Sequence, residues 1–162
     1  VIPATGGGEV TLAPLDPALI AALRTLRVAP GQVQFSDHPA DVLDAPEAGA
    51  TPYAMLRGGV VVGMLRLDTA FAAHHPFAAH GIGLRSFIVG LAHQGTGVGT
   101  AATRALPALI AAHYPGTRTV WLTVNLRNPA ARAVYLKGGF VDTGEHYLGG
   151  DAGPQHILRL DL

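Results

Sequence analysis

Gln94-Gly95-Thr96-Gly97-Val98-Gly99 lies between an apolar run, Leu84–Val89 (LRSFIV), and a helical pattern that runs from Gly97 to about His113. Three glycines alternate within six residues. Glycine lets successive backbone N–H groups point the same way and lets a phosphate approach where a Cβ would block it. The helix that follows adds unpaired N–H groups and the positive end of its dipole. Strand, glycine loop and helix together read as a pyrophosphate cradle over Gln94, Gly95, Thr96, Gly97, Val98, Gly99 and Thr100. Two other phosphate loops do not fit. The P-loop needs Gly-Lys-Ser/Thr after its spacers, and no Lys is present here. The dinucleotide fingerprint has GxGxxG after a first strand, with an acidic residue about 20 positions on. A glycine-rich turn without a ligand is the alternative that this stretch alone leaves open.

Further along, Thr119–Asn125 (TVWLTVN) reads as a strand, so the segment from Leu84 to Asn125 is a strand–helix–strand unit. Its two strands are expected to be parallel with a right-handed crossover. Pro107 falls inside the helical pattern and predicts a kink, because it deletes the bond to the carbonyl of Thr103. Asn128-Pro129 opens a last helix and Gly138-Gly139 closes it. On that helix Tyr135 follows Asn128 by two turns, on the same face and about 10 Å along, with the small Ala131 between them. A narrow chain fits such a groove; a plain capped helix with a core tyrosine is the other reading. Phe140–Thr143 and His156–Leu160 are the remaining C-terminal strands.

Toward the N-terminus, residues 1–8 read as a loose lead-in and Glu9–Pro14 as a first strand. Asp16 caps a helix with Pro17 at its first position, expected to stop before Pro30-Gly31. Ser36–Glu47 is expected to hold a short second helix, with Asp37, Asp41, Asp44 and Glu47 along one face. Thr51–Arg57 and Val60–Leu67 flank Gly58-Gly59 as a hairpin. Residues 70–82, rich in Ala and His, read as a loop. Neither an internal repeat nor a linker interrupts this order, so residues 1–162 are read as one domain.

Composition narrows the classes. The 162 residues carry 11 basic and 11 acidic side chains and no cysteine, with 49% hydrophobic and 14% charged residues. That excludes a disordered chain. It removes disulfide frameworks, thiol catalysis and thiolate metal sites. A balanced charge disfavours a nucleic-acid partner. No apolar stretch approaches the ~20 residues of a membrane span, and no signal-like segment opens the chain. His74, His75 and His80 do not have metal-ligand spacing, and are expected as solvated loop residues; no metal is expected.

The glycine loop and the last helix together resemble the GNAT superfamily of N-acetyltransferases. Gln94, Gly97 and Gly99 match its Gln/Arg-x-x-Gly-x-Gly/Ala signature. Asn128, Ala131, Tyr135, Gly139 and Phe140 match its Asn-x-x-Ala-x-x-x-Tyr-x-x-x-Gly-Phe helix. The resemblance implies an α/β fold of the α+β kind, with a mixed, mostly antiparallel sheet whose fourth and fifth strands splay, flanked by helices. It implies acetyl-CoA as cosubstrate, with its pantetheine arm in the gap. Backbone groups of Phe87, Ile88 and Val89 would bond that arm, and the Gln94–Thr100 segment would hold the pyrophosphate. Asn128 and Ala131 would line the pantetheine groove, and Tyr135 would point at the sulfur as the acid. Gly90-Leu91 departs from the family's proline-containing turn and leaves the bulge there open.

The activity so implied is acetyl transfer to an amine by direct attack in a ternary complex. A polyamine-like small molecule is one acceptor, drawn by the acidic row; a solvated helix face is the plainer account of that row. Candidate bases are Glu145, His146 and His80, or a water chain. An acyl-CoA sensor without catalysis and a peptide N-terminal acetyltransferase are the competing functions. A cytoplasmic location is expected, and a homodimer is left open.

Overall fold

The computed structural model describes residues 9–30 and 37–162. The lead-in over residues 1–8, and Gly31 and Ser36 of the expected boundaries, lie outside that range. One seven-stranded sheet organises the chain. Its strands are β1 Val10–Pro14, β2 Ala50–Arg57, β3 Val60–Asp68, β4 Ile82–Val89, β5 Thr119–Asn125, β6 Val141–Tyr147 and β7 Gln155–Asp161, in the spatial order β1-β2-β3-β4-β5-β7-β6. All neighbours are antiparallel except β4 and β5. Helices α1 Pro17–Arg24, α2 Pro39–Asp44, α3 Phe71–His74, α4 Val98–His113 and α5 Pro129–Lys137 surround it.

The sheet separates two apolar layers. On one face α4 and α5 bury Val98, Leu106, Ile110 and Tyr135 against Leu65, Leu84, Val120, Leu122 and Leu158. On the other, Leu23 of α1 and Val42 of α2 pack on Ala54, Met64 and Ile88. α4 continues past Pro107, whose ring is exposed.

Parallel pairing between β4 and β5 is confined to Ile82↔Val120 and Gly83↔Trp121. Beyond Gly83 the two strands have no partner residues in common, so they open as a V toward their C-terminal ends. A bulge on β4 accompanies the opening. Met64 pairs Ile88 and Arg66 pairs Arg85, so Ser86 and Phe87 together oppose Leu65. An extra residue bends a strand and increases its twist. Ser86 takes φ +50°, which side chains other than glycine's rarely adopt. The bulge thus lies at Ser86-Phe87 and not at Gly90-Leu91, where the chain passes into a 3-10 turn over Leu91–His93.

Other sequence boundaries are corrected by local chemistry. α1 ends at Arg24 because the Thr25 hydroxyl and N–H turn back on Ala22 O. α2 is only six residues long. Pro46 disfavours helical backbone at Ala45, so the acidic row is not one helical face. Asp41 and Asp44 belong to α2, whereas Asp37 precedes it and Glu47 follows it. The 70–82 segment is not a simple loop. Asp68 Oδ1 accepts the Ala70 N–H at 2.8 Å, α3 follows, and Pro76–Ala78 forms a 3-10 turn. β6 runs on to Tyr147 as an edge strand whose polar residues hid it from a hydrophobic pattern.

Candidate active site

The V between β4 and β5 opens into a cavity of about 970 Å³. Its mouth is the glycine loop. Gly95 and Gly97 have φ +72° and +85°, which explains glycine at both. Gly97 caps α4, and the first backbone bond of that helix is Ala101 N–H to Gly97 O at 3.0 Å. The N–H groups of Val98, Gly99 and Thr100 therefore have no intrahelical acceptor. Gly99 has a separate reason: a Cβ there would lie 2.9 Å from Val134 Cγ1, where α4 meets α5. Gln94, Gly95, Gly97, Val98, Gly99 and Thr100 line the cavity. Thr96 has its polar groups engaged within the loop, its hydroxyl donating to His93 O and its carbonyl accepting from Arg57 Nη1 at 3.3 Å.

Along β4, Phe87 and Val89 line the cavity, whereas Ile88 faces the other layer and is fully buried beside Met64. The Gly90 N–H donates to Val62 O on β3 at 2.8 Å. Antiparallel strands alternate the direction of their backbone groups, so Val89 directs its N–H and carbonyl away from β3, toward the gap. That carbonyl accepts from Gln94 Nε2 at 3.3 Å.

The opposite wall is α5. Asn128 caps it, its Oδ1 accepting the Ala131 N–H at 3.3 Å, which leaves the Nδ2 amide directed by the cap. Asn128, Ala131 and Tyr135 all line the cavity. The Tyr135 ring is 8% exposed and meets Phe87 and Phe140 edge-on, with centroids 5.2 and 5.9 Å away. Burial without a compensating partner pushes its phenol well above the ordinary tyrosine range. The phenol is therefore protonated at neutral pH.

At the other end of the cavity lies a charged wall. Arg66, only 3% exposed, donates through Nε and Nη2 to Ser86 Oγ at 3.0 and 2.7 Å. Asp37 and Glu47 reach Arg66 at 3.4 and 3.5 Å. Glu47 and Asp68 hold Arg85 at 2.6 and 3.0 Å. The hydrogen bond from Arg85 holds the Glu47 carboxyl below its ordinary value. Two of the four acidic side chains of the row are thus ion-paired with arginines here, and a third, Asp44, pairs with Arg24 at 2.8 Å.

Glu145, His146 and His80 are exposed and none lines the cavity. His75 does line it. It is half-buried, stacked on Phe71 at 4.0 Å, and not a solvated loop residue. Its neighbours His74 and His80 are exposed. The sequence held no signal for this, because the aromatic partners come from α3, the 3-10 turn and β6. Among the described residues no cluster of three or more His, Asp or Glu is placed to hold a metal.

Comparison with known proteins agrees with this geometry. The family model described as Acetyltransferase (GNAT) family matches residues 20–140. An uncharacterized N-acetyltransferase of Bacillus subtilis (strain 168), YbbJ, is 27% identical over 158 residues, covering 93% of this chain and 96% of the relative. Among solved structures, the aminoglycoside acetyltransferase AAC(6')-Ib with paromomycin and acetyl-CoA superposes with a TM-score of 0.76 at 21% identity, covering 94% of this chain and 93% of that one. Spermidine N-acetyltransferase from Vibrio cholerae with CoA and spermine superposes with a TM-score of 0.66 at 16% identity, covering 94% and 95%. With a family match across most of its length, and a sheet split at β4 and β5, the chain belongs to the acetyltransferase (GNAT) family, and with it to the acetyl-CoA-dependent acyltransferases.

Proposed function

We propose that this chain moves the acetyl group of acetyl-CoA to the amine of a small molecule by direct attack within a ternary complex, and that residues 1–162 form a single catalytic domain for it. One observation carries the reading: the β4–β5 gap is lined by groups whose hydrogen-bonding capacity no other part of the chain uses among the described residues. These are the first N–H groups of α4, the Val89 N–H and the Tyr135 hydroxyl. The α4 N–H groups hold the pyrophosphate, together with the loop from Gln94. Backbone groups of Phe87 and Val89, next to Ile88, extend β4 by pairing with the pantetheine amides. Asn128 and Ala131 flank the arm. The Val89 N–H supports the oxyanion that forms on the thioester oxygen. Tyr135, protonated and beside Phe87, donates its proton to the departing CoA thiolate.

The acceptor must present a neutral amine, because a protonated amine has no lone pair for attack. Paromomycin and spermine, bound in two of the similar structures, are both amines. In this chain Asp37 and Glu47 are paired with Arg66 and Arg85, which weakens the pull on a polycation. We therefore favour a small amine of low charge, acetylated in the cytoplasm. No helix among the described residues is long and apolar enough to cross a membrane.

A thiol-release assay with acetyl-CoA against a panel of amines, followed by mass spectrometry of the product, tests the reading. An acetylated small amine is expected. Acetyl-CoA binding with no turnover across the panel would turn the reading to a sensor. Turnover on peptide N-termini alone would turn it to protein acetylation.

A further inference from the structure

We propose that His75 is the general base of this enzyme, its Nε2 taking the proton that the acceptor nitrogen loses, directly or through one water. The inference rests on the function proposed above.

The placement follows from the apex of the V. Gly83 is the last β4 residue paired with β5. The Phe71 ring lies on it, so closely that a Cβ at Gly83 would fall 2.2 Å from Phe71 Cγ. His75 stacks on that ring, 4.0 Å away and nearly parallel at 9°. His75 therefore sits at the closed end of the cavity. Tyr135 is anchored on Phe87, four positions along β4, at most about 13 Å at regular strand spacing and less across the bulge. The thioester, the attacking nitrogen and the two proton-transfer groups fit in that interval.

Its tautomer follows from its partner. Nδ1 lies 3.2 Å from the Phe71 carbonyl, which can only accept. Nδ1 must carry the hydrogen, and in the neutral ring Nε2 then keeps its lone pair. Burial, against the opposing pull of that hydrogen bond, holds the imidazole below its ordinary value. The charged and titratable groups around it are Arg85 on β4, Asp68 on β3, His74 on its own helix and the Tyr147 ring on β6, 4.8 Å away. Arg85 and His74 favour the neutral ring, and Asp68 opposes them. The other cavity-lining bases are less suited. The Asp37 carboxylate is held by Arg66 and Ser86, and His93 stands in the turn before the glycine loop.

The step balances as follows. The amine lone pair forms the C–N bond, and the carbonyl electrons move to oxygen. The nitrogen, now positive, gives its proton to Nε2. The C–S bond breaks as the oxyanion collapses, and the sulfur takes the Tyr135 proton. Solvent then takes the added proton from His75 and restores that of Tyr135.

Two variants test it. His75→Phe keeps the ring that stacks on Phe71. His75→Asn keeps a donor for the Phe71 carbonyl. Both are expected to melt near the wild type, to bind acetyl-CoA within about twofold of it, and to lose about a hundredfold in kcat. The acid limb of the wild-type kcat profile, set by an imidazole that burial holds below its ordinary value, should vanish in both. If either variant keeps the wild-type kcat and limb, His75 is not the base. A wild type that binds acetyl-CoA but acetylates no amine overturns the functional reading and this one with it.

Discussion

At the scale of single residues, the site depends on side chains that combine burial with an open valence. Tyr135 is the clearest. Its ring is fixed between Phe87 and Phe140, and the residue lines the cavity. Tyr135→Phe preserves both ring contacts, so its melting temperature should stay close to the wild type. It should lower kcat by about two orders of magnitude, the usual scale of a proton-transfer group, with little change in the Kd for acetyl-CoA. Steady-state kinetics beside calorimetric titration separate the two quantities. Unchanged turnover would remove the acid role. Gly97 is the converse case, where any side chain strains the backbone. At φ +85° any substituent costs roughly 1–2 kcal/mol. Gly97→Glu adds a carboxylate where we place the pyrophosphate. We expect a folded protein whose acetyl-CoA affinity falls more than a hundredfold, a loss of over about 2.7 kcal/mol, measured by titration. An unaltered affinity would count against the cradle.

At the scale of elements, the β4 bulge joins the β4–β5 gap to the charged wall. Ser86 holds a strained φ of +50° and also accepts two bonds from the buried Arg66. The two effects oppose each other in Ser86→Gly. Relief of the backbone gains up to about 1–2 kcal/mol. Loss of the hydroxyl leaves buried guanidinium donors short of an acceptor, at roughly 1–3 kcal/mol for such a group and more when it is charged. The loss should prevail, so the variant should melt a few degrees lower; a rise in melting temperature would show that strain dominates. The bulge itself was not legible in LRSFIV, which reads as an ordinary strand. It is defined by the pairing with Leu65 on β3, a relation between segments distant in the sequence. α5, in contrast, was readable in full, because Asn128, Pro129 and Gly138-Gly139 act on backbone groups within a turn of themselves.

At the scale of the whole molecule, ion pairs join distant parts of the chain: Glu47 to Arg85, Asp37 to Arg66, and Asp142 to Arg132 at 2.8 Å. Glu47 is held below its ordinary value of 4.5 by the Arg85 hydrogen bond. Burial would raise Asp142 above 3.8, but the Gly144 N–H and Arg132 outweigh it and lower it. A depressed carboxyl pKa means that the native state binds fewer protons than the unfolded one. The stability from these groups is present above about pH 4.5 and is lost as pH falls through the native values below it. Both groups are largely hydrated, so each effect is small. Thermal melts of the wild type between pH 3 and 6 should show the decline, and Glu47→Gln should flatten it. Parallel curves would mean that the Glu47 pair adds nothing to stability.

Sequence alone was enough for the features that rest on local chemistry: the glycine loop, the capped helix bearing Tyr135, the hairpin at Gly58-Gly59 and the strand–helix–strand unit. Their signals are short-range constraints on φ, on helix caps and on hydrophobic period. Tertiary structure alone decided the ends of the cavity. The acidic row became ion pairs with Arg66 and Arg85, and the histidine group separated into two exposed rings and one packed on Phe71. Those outcomes depend on which strands lie side by side, and charge pairing and desolvation act only through that proximity.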